Sequence, residues 1–137
     1  MNKSISETNP RWRGTLPDAL GMVHVVADRG VVRGHFTIEK RHMAANGFLH
    51  AASIIALVDS ACGIGSLSTL PEGAMGFTTV EIKINYLGTA RDGMVSCEAR
   101  LMHGGRTTQV WDATATHDES GKMLALFRCT QLLLYPR

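Results

Sequence analysis

Ala51-Ala52-Ser53-Ile54-Ile55-Ala56-Leu57-Val58-Asp59-Ser60-Ala61-Cys62-Gly63-Ile64-Gly65 is a run of small and apolar residues broken by one carboxylate. Ala51, Ile54, Ile55, Val58, Ala61, Cys62 and Gly65 recur at the spacing of one helix face. Ala52, Ala56 and Leu57 cover much of the remaining circumference, so the helix is expected to be buried nearly all round. It should end near Thr69-Leu70-Pro71, where Pro71 stops it. Asp59 is the only formally charged side chain in the thirty residues from His42 to Pro71. A carboxylate in such surroundings is costly unless it is paired or hydrogen-bonded. Misplaced charges of this kind often mark a working site. The plainer alternative is an Asp on the solvent side of an ordinary helix.

Outward from the helix, the period changes to two. Phe77–Tyr86 is strand-like, as is Met94–Met102, with Val95, Cys97, Ala99 and Leu101 on one face and Ser96, Glu98 and Arg100 on the other. Thr107–His117 and Met123–Leu134 complete a meander. Its turns are Ala90-Arg91-Asp92-Gly93, His103-Gly104-Gly105-Arg106 and Asp118-Glu119-Ser120-Gly121-Lys122. Upstream, Met22–Ala27 and Val31–Ile38 flank Asp28-Arg29-Gly30, which has hairpin chemistry. Leu16-Pro17-Asp18-Ala19-Leu20 reads as a short helix with Pro17 in its first turn. Residues 1–15, with Pro10, Arg11, Trp12 and Arg13, read as an N-terminal arm that Trp12 can anchor; residues 16–137 read as one domain. Two strands, one buried helix and four long strands are satisfied economically by an α+β architecture: an antiparallel sheet curled around a single central helix.

Composition narrows the function classes. A chain of 137 residues can bury a real core. A net charge of +2, with no Lys/Arg run or aromatic ladder, argues against nucleic acid as a partner. The N-terminus has no apolar core after Lys3, so it is not a secretory signal. The longest apolar stretch contains Asp59 and small polar residues and does not read as a membrane span. Cys62, Cys97 and Cys129 are odd in number and widely spaced, as buried reduced thiols of a cytoplasmic protein would be. The six histidines show no ligand spacing, so neither a metal site nor a cofactor is expected. The seven methionines read as core filler or as the lining of an adaptable pocket.

The element order, together with Asn46-Gly47-Phe48-Leu49-His50-Ala51-Ala52 running into Ala56-Leu57-Val58-Asp59-Ser60-Ala61, resembles the hotdog-fold thioesterases. Within them it is most similar to the 4-hydroxybenzoyl-CoA and phenylacetic-acid-degradation type. Those proteins show a Gly, two residues, then His-Gly-Gly, and an acidic residue eight positions after the first Gly of the pair. Gly47, His50, Ala51 and Asp59 keep that register. Thr79 to Leu87 looks like the family's first long strand, and Asp92-Gly93 and Gly105-Arg106 look like its later turns. The resemblance covers about residues 16 to 134. Two departures stand out. Ala51-Ala52 replaces the Gly-Gly pair, which keeps the backbone N–H but shrinks the room for substrate. Gly88-Thr89 stands where many relatives carry Arg-Pro.

The resemblance implies acyl-CoA thioester hydrolysis. Asp59 would act as general base or as nucleophile, and the residues do not choose between the two. The Ala51 N–H at the helix start would receive the oxyanion, helped by the helix dipole. Thr79 would orient the water or the carboxylate, or is simply a β-branched strand residue. His50 would brace the turn before the helix or transfer a proton. Asn46 would be the family's substrate-orienting amide, shifted by about two positions. Lys83, Arg91 and Arg106 are partners for coenzyme A phosphates, or ordinary solvated charges. Asp59 lies eight residues along one helix from Ala51, about 12 Å. Both cannot serve one carbonyl, so a homodimer with the site at its interface is expected; the resemblance implies that it pairs again into a homotetramer. Two alternatives remain: a non-catalytic acyl-CoA-binding hotdog protein, and an acyl-thioester hydratase or dehydratase. For the latter, Gly34-His35-Phe36 resembles the start of the dehydratase motif, but no Pro-Gly follows.

Overall fold

In the computed structural model, which describes residues 3–137, the chain begins with two single-turn helices. These are α1 (Ile5–Thr8) and α2 (Leu16–Ala19), separated by a 3-10 turn at Pro10–Trp12. Ile5 and Trp12 pack against the core. A hairpin follows, β1 (Val23–Asp28) and β2 (Val31–Thr37), turning at Gly30 with φ +76°. After a 3-10 turn at Lys40–His42 comes the long helix α3 (Ala51–Ser68). The meander consists of β3 (Gly76–Tyr86), β4 (Met94–Gly104), β5 (Thr108–His117) and β6 (Met123–Leu134).

The six strands form one sheet in the order β1-β2-β4-β5-β6-β3, with every neighbouring pair antiparallel. The chain leaves the sheet after β2, runs through α3 and re-enters at the opposite edge as β3. The helix is thereby laid across one face of the sheet. This is the expected hotdog arrangement. Leu57, Val58, Ala61 and Cys62 of α3 are fully buried among Val32, Phe36, Val95, Ala99, Trp111 and Phe127. Contact is close at Gly65, where a Cβ would sit 2.3 Å from the Trp111 ring. The cysteines are free and buried.

The helix differs from the expectation of burial all round. Ala51 and Leu67 are exposed, and Ile55, Asp59 and Gly63 are only half-buried. These five positions are four apart and trace one stripe along the helix. The reason lies at the β3 edge of the sheet. Most residues of β3 are exposed there, with Val80 at 57% and Ile82 at 42%, so the strand leaves the stripe only partly covered.

Candidate active site

The head of α3 is built by two histidines. His42 is fully buried and stacks on Phe36 with ring centroids 4.5 Å apart. Its Nδ1 accepts from the Glu39 N–H (2.9 Å), and its Nε2 donates to the Leu20 carbonyl (2.7 Å). Its own carbonyl accepts from the His50 N–H and the Ser53 hydroxyl. His50 is the N-cap of α3, and its Nδ1 accepts from the Ala52 N–H at 2.9 Å. One of the four free donors of the helix start is thereby satisfied. The Ser53 N–H goes to the His50 carbonyl. The Ala51 N–H has no acceptor among the described residues. It sits at the positive end of the helix dipole, on an exposed residue.

Two further contacts fix this corner. The Tyr86 hydroxyl donates to the Ala51 carbonyl at 2.7 Å, tying the end of β3 to the first turn of α3. Sequence reasoning gave Tyr86 no role. An aromatic in a strand carries no signal of a partner thirty-five residues away. Asn46 lies in the loop between Met43 and Leu49, where its Oδ1 accepts from the Phe48 N–H (3.1 Å) and Gly47 takes φ +85°. Its amide oxygen is thus occupied within its own turn.

Asp59 lies two turns further along the helix, on the uncovered stripe. Its Oδ1 is buried and has no hydrogen-bond partner among the described residues. Burial raises the pKa of its carboxyl above the usual aspartate range. Two residues earlier, the Leu57 carbonyl accepts from Nε2 of His24 (2.9 Å), a side chain 1% exposed whose pKa burial lowers. Thr79 stands on β3 opposite Gln131, directly before a bulge at Val80. It shares the helix-facing side of the strand with Phe77, whose ring packs on Gly63 one turn beyond Asp59. Bulges commonly re-aim side chains beside active sites.

The three cations stand apart. Lys83 faces outward from the sheet beside Arg128, which holds Asp112 in a two-pronged ion pair (2.5 and 2.8 Å). Arg106 is in the turn between β4 and β5, with its carbonyl accepting from the Tyr135 hydroxyl. Arg91 alone lies near the head of α3, its guanidinium 4.6 Å above the Phe48 ring. Among the described residues no group of three His, Cys, Asp or Glu side chains could hold a metal ion.

A carboxyl whose pKa is raised by burial and an N–H without an acceptor at a helix start are groups that acyl transfer can use. Residues 46–124 match the model of the thioesterase superfamily. The chain is 29% identical to the 1,4-dihydroxy-2-naphthoyl-CoA hydrolase of Listeria monocytogenes, over 84% of this chain and 92% of that protein. The structure superimposes on a mutant of thioesterase PA1618 from Pseudomonas aeruginosa with a TM-score of 0.88, at 25% identity, covering 99% of this chain and 97% of that one. It is also similar to smu.793 from Streptococcus mutans, solved with acetyl CoA bound. There the TM-score is 0.74 at 27% identity, covering 83% of this chain and 89% of that one.

Proposed function

The chain belongs to the thioesterase superfamily, and from that premise we propose that it hydrolyses acyl-coenzyme A thioesters at a site shared by two subunits. A thioester hydrolase needs an oxyanion donor and a base or nucleophile around one carbonyl. The observation that carries the proposal is that one chain supplies both, unpartnered but about 12 Å apart along a helix. Asp59 of one subunit and the Ala51 N–H of the other would close on the same thioester. As general base, Asp59 takes a proton from water while the water oxygen attacks the carbonyl carbon. The tetrahedral oxyanion is held by the Ala51 N–H. Its collapse breaks the C–S bond and releases the coenzyme A thiol, which takes up the proton from Asp59. As nucleophile, Asp59 would attack the carbonyl itself and water would then cleave the mixed anhydride. Thr79, on β3, would orient the water or the carboxylate.

Coenzyme A as the carrier is supported by the Listeria relative, named as a CoA hydrolase, and by the acetyl CoA bound to the Streptococcus protein. The acyl part is aryl or fatty. A cytoplasmic setting suits three buried free thiols. The test is thiol release from a panel of aryl- and fatty-acyl-CoAs. Asp59→Asn keeps the size and removes the basicity, so turnover should fall by two or more orders of magnitude with the fold intact. Wild-type turnover by Asp59→Asn on the best substrate would refute the assignment.

A further inference from the structure

We propose that a groove in front of α3 binds the phosphate groups of coenzyme A through Lys40 and Arg91, an inference that rests on the acyl-CoA reading above. The groove encloses about 540 Å³ between the segment after β2 and the connection from β3 to β4. Ile38, Met43 and Ala44 give it apolar walls, and Lys40 and Arg91 contribute its cations. Glu39 also lines it, but its carboxylate is engaged by Arg41 at 3.2 Å. Lys40 and Arg91 form no ion pair among the described residues. Two uncompensated cations beside an apolar wall suit a ligand that is anionic at one part and apolar at another.

The groove is built before any ligand arrives. The Ile38 N–H donates to the Gly93 carbonyl at 2.8 Å, joining its two walls. Arg91 rests on Phe48, which anchors it to the loop that leads into α3. That loop sets the location. Ala44 and Gly47 line the groove seven and four residues before Ala51, whose free N–H is the proposed oxyanion donor. In an acyl-CoA the pantetheine arm separates the thioester from the phosphates. A substrate with its carbonyl at the helix head must therefore place its phosphates some way off along the surface, and this groove is a cationic depression lined by the loop that leads to that helix head. Sequence reading singled out Arg91 but gave Lys40 no part, because a lone Lys in a 3-10 turn carries no motif.

The test compares one acyl group on two carriers, coenzyme A and pantetheine, which lacks both nucleotide and phosphate. For the wild type, kcat/KM should favour the coenzyme A ester. In Lys40→Ala and in Arg91→Ala the ratio of the two kcat/KM values should fall about tenfold each at low ionic strength, through KM, and less at high salt. Lys40→Arg should restore most of the ratio. A ratio unchanged in the Lys40→Ala/Arg91→Ala double variant overturns the proposal. If the wild type cleaves neither ester, it is the acyl-CoA reading that fails, and calorimetry with free coenzyme A then decides the groove. Wild-type binding that weakens about tenfold in each single variant supports it; no binding, or equal binding by all forms, overturns it.

Discussion

Asp59 works against the fold that holds it. Its Oδ1 is buried without a partner, and burial raises its carboxyl pKa. A carboxyl whose folded pKa lies above its unfolded value binds more protons folded than unfolded in the window between the two. Stability therefore falls as pH rises through that window, and the cost stays in full above it. Asp59→Asn should accordingly raise the Tm at neutral pH while abolishing turnover, and the gain should vanish at a pH below the usual aspartate range. Thermal melts across pH check this, and a lower Tm for Asp59→Asn at neutral pH would contradict it. In wild-type kinetics, kcat/KM should fall on acidification with a midpoint above that of an ordinary aspartate. His24 has the opposite sign. Its pKa is lowered, so its contribution weakens stability as pH falls below the ordinary histidine range. The unusual carboxylate was legible because a single charge in thirty residues is a compositional signal. The lack of a partner for its Oδ1 among the described residues was not, since that depends on what β3 leaves uncovered.

At the scale of the elements, α3 shows what a periodicity can and cannot say. Of the seven positions the spacing puts on one face, Ile54, Val58, Ala61, Cys62 and Gly65 are buried, whereas Ala51 is exposed and Ile55 half-buried. The open stripe carries no signal in the sequence, because Ala51, Ile55, Gly63 and Leu67 are as apolar as their buried neighbours, so hydrophobicity alone assigns them to a core. In the sequence Gly65 is one of the positions whose spacing puts it on the helix face. The structure gives the reason, since a Cβ there would lie 2.3–2.8 Å from three atoms of the buried Trp111 ring. Trp111 is itself held by its Nε1–H to Gln109 Oε1 at 2.9 Å, so it cannot retreat freely. Gly65→Ala should therefore destabilise by about 1–3 kcal/mol, although alanine is the better helix former. A denaturant midpoint equal to or above wild type would show that the helix can shift. The bulge at Val80 had no sequence signal, because no Gly or Pro marks it.

The whole molecule is a half-covered helix beside an open sheet edge, and a second copy is the economical cover for both. β3 offers unpaired backbone groups along one side and exposed Val80 and Ile82; such edges invite another strand. A two-fold axis there would bring the open stripe of each helix over its mate and set Asp59 against the other subunit's Ala51 N–H. Two variants isolate the halves of that site. Asp59→Ala removes the carboxylate. Ala51→Pro removes the N–H at a position where helices accept proline, and His50 before it already has the extended φ −67°, ψ 133° that a following proline requires. Each variant alone should be inactive. Mixed in equal amounts and refolded together, half the dimers contain one chain of each kind. Each such dimer holds one site with both groups and one with neither, so activity should return to about a quarter of wild type. Carrying both substitutions on one chain and mixing it with wild type gives a contrasting result. Its mixed dimers keep two half-sites that each lack one group, so they add no activity to that of the wild-type dimers remaining. Recovery in the first mixture and none in the second is the pattern of a site built across the interface. If mixed dimers form in the first and stay inactive, Asp59 and the Ala51 N–H do not meet in one site across the interface, and the shared-site assignment fails.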